Sequence, residues 1–163
     1  MTVDQVFKSL GDFIKTLVLC PIVKGQKNFV PPPNGPFIVM TQVGQNRLGT
    51  NEDSYDTLTQ NKTITRYTQY DIQLDFYGDG SGDRAGIVET AFRDEYGTEN
   101  FGNLIQPLYC TDAKQMPLIN GEQNYEQRWT IVASMQANLD VIVAQQSATQ
   151  LSVTPVNVNV TYP

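Results

Sequence analysis

The sequence predicts an α+β fold, a mainly antiparallel sheet packed against two helices. Period-two alternation at residues 63–77 and again at 125–137 supplies the sheet, and helical periodicity at 3–19 and 83–96 supplies its cover. Strands that alternate between an apolar and a polar side bury one face only, and such sheets are mostly antiparallel. The 163 residues suit a single domain spanning 1–163, large enough to bury about 70% of its unfolded surface without disulfide or metal staples.

The first helix places Val3, Val6, Phe7, Leu10, Ile14, Leu17 and Val18 on one side, with Asp4, Lys8, Asp12 and Lys15 opposite. Thr2 is the expected N-cap and Pro21 the stop. A Pro-rich connector follows at about 30–36, where Pro31, Pro32 and Pro33 lack amide donors and hold the chain extended. Residues 37–43 are apolar and predict a buried strand. Residues 44–59 are polar and predict a loop, carrying Glu52, Asp53 and Asp56.

The long strand is the clearest feature. Its even positions, Ile64 to Phe76, are mainly apolar; its odd positions include Thr65, Tyr67, Gln69, Asp71, Gln73 and Asp75. Fifteen residues at ~3.3 Å each span ~50 Å, whereas a compact chain of this length is only ~40 Å across. Either the strand bends at a bulge, or its start projects as an arm towards a neighbouring subunit.

Gly78, Gly80 and Gly82 break that strand. The helix at 83–96 is expected to be capped by Ser81 or Asp83 and to bury Ala85, Val88, Ala91 and Phe92. A helical turn at 99–105, a short strand at 108–112 and a turn-rich connection at 115–121 come next. The second alternation puts Trp129, Ile131, Ala133, Met135 and Ala137 on one face, Trp129 packing into the core. Asn138, Leu139 and Asp140 predict a turn, residues 141–143 extend again, and a last extended strand at about 151–163 is kinked at Pro155.

Composition narrows the function. Eleven basic against seventeen acidic residues give a net charge of −6, the wrong sign for gripping phosphates, though suited to a wall past which DNA slides. No apolar run reaches the ~18 residues that span a bilayer, and Asp4 and Lys8 interrupt what would be a signal peptide. Cys20 and Cys110 sit beside apolar residues and read as buried free thiols. Histidine is absent, which removes the usual general base and the commonest metal ligand. The expectation is a non-enzyme with no catalytic residues, no cofactor and no metal; a histidine-free hydrolase is the remote alternative.

Two constellations invite a chemical reading. The glycine-rich turn at 77–83 stands where phosphate sites occur, but lacks the Walker lysine and the full dinucleotide fingerprint, and Asp79 and Asp83 would repel an anion. Asp75, Asp79 and Asp83 offer oxygens to calcium without the spacing of a calcium-binding hand. Asp71 and Asp75 point the same way ~13 Å apart, too far for a glycosidase pair. These features read as a capped turn and as a solvated or interface-facing stripe.

Three motifs carry a resemblance. They are Asp71-Ile72-Gln73-Leu74-Asp75-Phe76-Tyr77-Gly78 leading into an alanine-bearing helix, Arg128-Trp129-Thr130-Ile131 leading into Met135-Gln136-Ala137-Asn138, and the extended close from Val141 through Gln145-Gln146 to the valine-rich tail. With the opening helix, this order resembles the phage neck and tail-terminator proteins, the neck-terminator-like group of tailed phages and prophages. The resemblance implies a tail-terminator-like α+β subunit that forms a ring, usually of six, at the head-proximal end of the tail. It further implies a virion protein made in the host cytoplasm, with tail-tube and head-connector proteins as partners, no membrane, and DNA passing without specific binding. Glu52, Asp53, Asp56, Tyr67 and Asp71 are the candidates for its lumen or docking surface. The alternatives are another phage structural role, in a tail tube or in head completion, or a calcium-dependent binding module.

Overall fold

Helix α1 (Val3–Leu17) starts where expected, and Thr2 and Gln5 close a reciprocal capping box. The Thr2 amide donates to the Gln5 side chain at 2.7 Å, and the Gln5 amide donates to the Thr2 hydroxyl at 3.4 Å. The computed structural model describes residues 2–26, 31–102, 105–119 and 125–146. The tail strand expected at 151–163 and Val30 of the Pro-rich connector lie outside those residues.

After α1 come β1 (Ile22–Lys24), β2 (Phe37–Arg47), β3 (Glu52–Asp56) and β4 (Asn61–Tyr77). Then follow α2 (Ser81–Arg93), α3 (Glu95–Asn100), β5 (Ile105–Cys110), β6 (Lys114–Gln115), β7 (Leu118–Ile119), β8 (Tyr125–Glu126) and β9 (Arg128–Ala144). The main sheet runs β1-β2-β4-β9-β5, with β3 joined to β4 and β6 to β9; β7 and β8 pair separately. All pairs are antiparallel except β1 with β2, which are parallel.

One face of this sheet is the core. Ile38 and Met40 of β2, Ile72, Leu74 and Phe76 of β4, and Ile131, Ala133 and Met135 of β9 are buried beneath Leu10 and Ile14 of α1 and Ala85 and Val88 of α2. Phe13 of α1, Phe92 of α2 and Phe101 link the two helices, with ring centroids 4.7–6.0 Å apart. Trp129 packs on this face as expected. A Cβ at Gly82 would stand 3.0 Å from its indole, so a larger residue would require the Trp129 ring to shift by a few tenths of an ångström. Cys110 is buried, Cys20 is half-buried, and both are free thiols.

Several local expectations are corrected. The loop foreseen at 44–59 is instead the end of β2, all of β3, and a turn at 57–60. The turn foreseen at Asn138-Leu139-Asp140 is strand, because these residues pair with Tyr67, Arg66 and Thr65. The second helix is two, since Asp94 leaves helical geometry and caps α3 by accepting from the Tyr96 amide. α3 ends at Asn100, earlier than the turn foreseen at 99–105. Neither Ser81 nor Asp83 caps α2: Gly80 does so at φ 69°, a left-handed conformation that glycine adopts without steric cost.

The length of β4 is accommodated without a bulge in its pairing with β9. β4 and β9 pair over 17 residues each in unbroken register, from Asn61↔Ala144 to Tyr77↔Arg128. The bulge falls in β2, between Gln42 and Gly44. Burial on the core side of β4 begins only at Thr68. Residues 61–67 and 138–144, with β3 alongside, therefore form a three-stranded arm outside the buried core.

Candidate assembly surface

Cross-strand partners share a face, so the register assigns each side chain of the sheet to the helices or to the opposite, open side. The open face is polar because the odd positions of β4 are polar. Its centre is Asp75, whose side chain is 6% exposed. One carboxylate oxygen accepts from the Arg128 guanidinium at 2.9 Å and from the Thr130 hydroxyl at 2.6 Å; the Gln73 amide reaches both oxygens, at 3.0 and 2.9 Å. Asp71, two steps along the face, accepts from Ser134 at 2.6 Å, Gln69 at 2.8 Å and Asn46 at 3.4 Å. These carboxylates are tied into cross-strand networks; their donors satisfy them as a structural stripe.

The networks bear on the chemical readings. Asp75 faces Arg128 rather than the glycine-rich turn, so it does not converge with Asp79 and Asp83. Within that turn Arg84 donates to the backbone carbonyls of Tyr77 at 2.9 Å and Asp79 at 2.8 Å. The loop thus folds around its own guanidinium. Among the described residues, no group of three or more Cys, Asp or Glu could hold a metal ion.

The arm divides by face. On the open side lie Glu52, Asp56, Thr65, Tyr67 and Asp140. Tyr67 donates its hydroxyl to Glu52, a bond that raises the phenol's pKa above its ordinary value. Thr65 donates to Asp140 at 2.7 Å. Asp56 holds the arm's tip, accepting from the Thr59 hydroxyl at 2.7 Å and the Leu58 amide at 2.9 Å. Those bonds, the Thr59 hydroxyl's first, hold its carboxyl below the ordinary range.

On the helix side of the arm lie Asp53, Lys62, Ile64, Arg66, Leu139, Val141 and Val143, with Arg47 at the end of β2. Of the sequence candidates, then, Glu52, Asp56, Tyr67 and Asp71 share the open face, while Asp53 stands opposite and pairs with Lys62 at 2.8 Å. Charge separates with face. The open face carries Glu52, Asp56, Asp71, Asp75 and Asp140 against Lys114 and Arg128; the helix side of the arm carries Arg47, Lys62 and Arg66 against Asp53. Sequence reading missed Arg47 and Arg66, because the face of a basic residue in an arm emerges only with the register.

The model of the phage neck terminator protein family matches residues 4–162. No curated protein matches the sequence. Among solved structures, the chain is similar to the sheath/tube terminator, in the extended state, of an extracellular contractile injection system, PVC. The TM-score is 0.61 at 10% identity, over 99% of this chain and 65% of the terminator's, so this chain spans under two thirds of that protein. At that identity the likeness is one of fold.

Proposed function

The chain belongs to the phage neck terminator family, and from that premise we propose that it assembles with copies of itself into a six-membered ring at the head-proximal end of a phage tail. The ring ends growth of the tail tube and joins the tail to the head connector. The family's role is structural, and its place is the virion tail. The observation that carries this reading is the extent of the family match, residues 4–162, which supports reading the whole chain as one terminator domain.

The open face supports a ring through which DNA passes. Its surplus carboxylates, together with the net charge of −6, suit a surface past which DNA moves without adhering. Glu52, Asp56, Tyr67 and Asp71 are the residues of that face we assign to lumen or docking, and Asp53 to a contact on the arm's other side.

The test is removal of the gene from a phage that carries it. Tails are expected to lose their uniform length and to remain unattached to heads, with both defects reversed by supplying the protein. Tails of normal length joined to heads without it would overturn the reading.

A further inference from the structure

The core-facing alternation of β4 and β9 does not stop where the core stops. Ile64, Leu139, Val141 and Val143 continue the row that includes Ile72, Leu74, Ile131 and Met135, but among the described residues they lie outside the buried core cluster. Val141 is 47% exposed and Val143 38%. Beside them stand Arg47 and Arg66, for which no ion pair forms among the described residues; the Arg66 Nε is buried without a hydrogen-bond partner. An apolar strip bordered by unpaired guanidinium groups is a face shaped for an apolar surface bordered by carboxylates.

The same chain carries such a surface. The outer side of α2 is a shallow depression formed by Gly86, Ile87, Thr90 and Ala91, with Asp83 at one end and Asp94 at the other. Ile87 is 48% exposed. Within one molecule the two surfaces lie apart, α2 packing over the buried half of the sheet and the arm continuing beyond it. Between copies they make a head-to-tail contact, the type that closes into a ring when its rotation permits.

We propose that the helix-side face of the arm docks on the outer face of α2 of a second copy, with Arg47 and Arg66 meeting Asp83 and Asp94 around a contact between Val141, Val143 and Ile87. This rests on the ring reading above and names the surfaces that build it.

The test uses two charge-reversed chains, R47E/R66E and D83R/D94R, studied by sedimentation alone and mixed. Like charges then face one another in each chain alone, which is expected to raise the concentration for half-assembly at least about a hundredfold. Mixing restores opposite charges at every junction and is expected to restore wild-type assembly. Assembly of either variant alone as readily as wild type, or failure of the mixture, would overturn the proposal.

Cross-linking guards against misfolded variants. Chains bearing V143C and I87C, mixed and oxidised, are expected to give a covalent dimer that neither gives alone; its absence from assembled protein would equally overturn the contact. Wild-type rings indifferent to all these changes would sink this contact while leaving the ring intact. Variants that form rings but no longer bind tails would assign the arm to another protein and overturn the contact as well. Wild-type protein that is monomeric both free and on tails would remove the ring reading itself.

Discussion

From Tyr77–Arg128 to Thr68–Ala137, the β4–β9 ladder lies beneath α1 and α2; from Tyr67–Asn138 to Asn61–Ala144, the same ladder, in the same register, has that face uncovered. Backbone pairing is equally continuous in both halves. The side chains differ in what they touch. In the body, Leu74 and Phe76 are fully buried among helices; in the arm, Ile64 is half-buried and Val141 is exposed. Pairing defines the shape of a strand, but burial supplies most of the free energy that keeps it, so one ladder holds a stable half and a half dependent on what it meets.

The largest contrast is expected from truncation on the shared row. Leu74→Ala should destabilise the monomer by about 4 kcal/mol, whereas Ile64→Ala should cost about 1 kcal/mol or less, both read from urea unfolding. Equal losses would mean that the arm is buried as deeply as the body.

Removing a charge sharpens the same contrast. Arg128→Met leaves the Asp75 carboxylate buried with neutral donors only, at a cost of about 2 kcal/mol. In the arm, Lys62→Met breaks a pair whose Lys62 and Asp53 side chains are 28% and 51% exposed, and should cost about 0.5 kcal/mol or less. Thermal melts of the two variants would show whether the order holds.

Acid should separate the halves next. The Asp56 carboxyl is held below its ordinary 3.8, so its support of the tip is complete above that pH and is lost as pH falls through the lower, folded value. Amide exchange at Leu58 is expected to quicken there while that of Leu74 stays slow; simultaneous loss at both would make the arm part of one cooperative unit.

The mildest probe is thiol chemistry. Burial pushes the Cys110 thiol up to about 12, so a thiol reagent near neutral pH is expected to label half-buried Cys20 first and Cys110 only on unfolding. Matching rates would place Cys110 outside the body.

Legibility in the sequence followed the same division. The body could be read because Ile72, Leu74 and Phe76, or Ile131, Ala133 and Met135, alternate with polar residues that face away from the helices. The open-face candidates Tyr67 and Asp71 were visible by the same parity. The arm was harder: β3 is exposed along its whole length, so no apolar rhythm marks Glu52, Asp53 and Asp56 as strand. Asn138 and Asp140 have turn-forming side chains, yet in the sheet Asn138 accepts from Gln136 at 3.2 Å and Asp140 from Thr65. The Thr65 partner comes from the register, which no local pattern states. The cap of α2 escaped as well, since the helix begins directly after the left-handed Gly80 and so takes Ser81 and Asp83 into its first turn.

The uninterrupted register of β4 against β9 also has a mechanical side. Two strands of 17 residues, with no slip between Asn61 and Tyr77, form a strut roughly 56 Å long, while the irregularities beside it belong to β2 and β5. A strut without a joint does not absorb displacement along its length. A push along the strands from the tip would thus meet no slip in the β4–β9 pairing before it reached the residues beneath the helices.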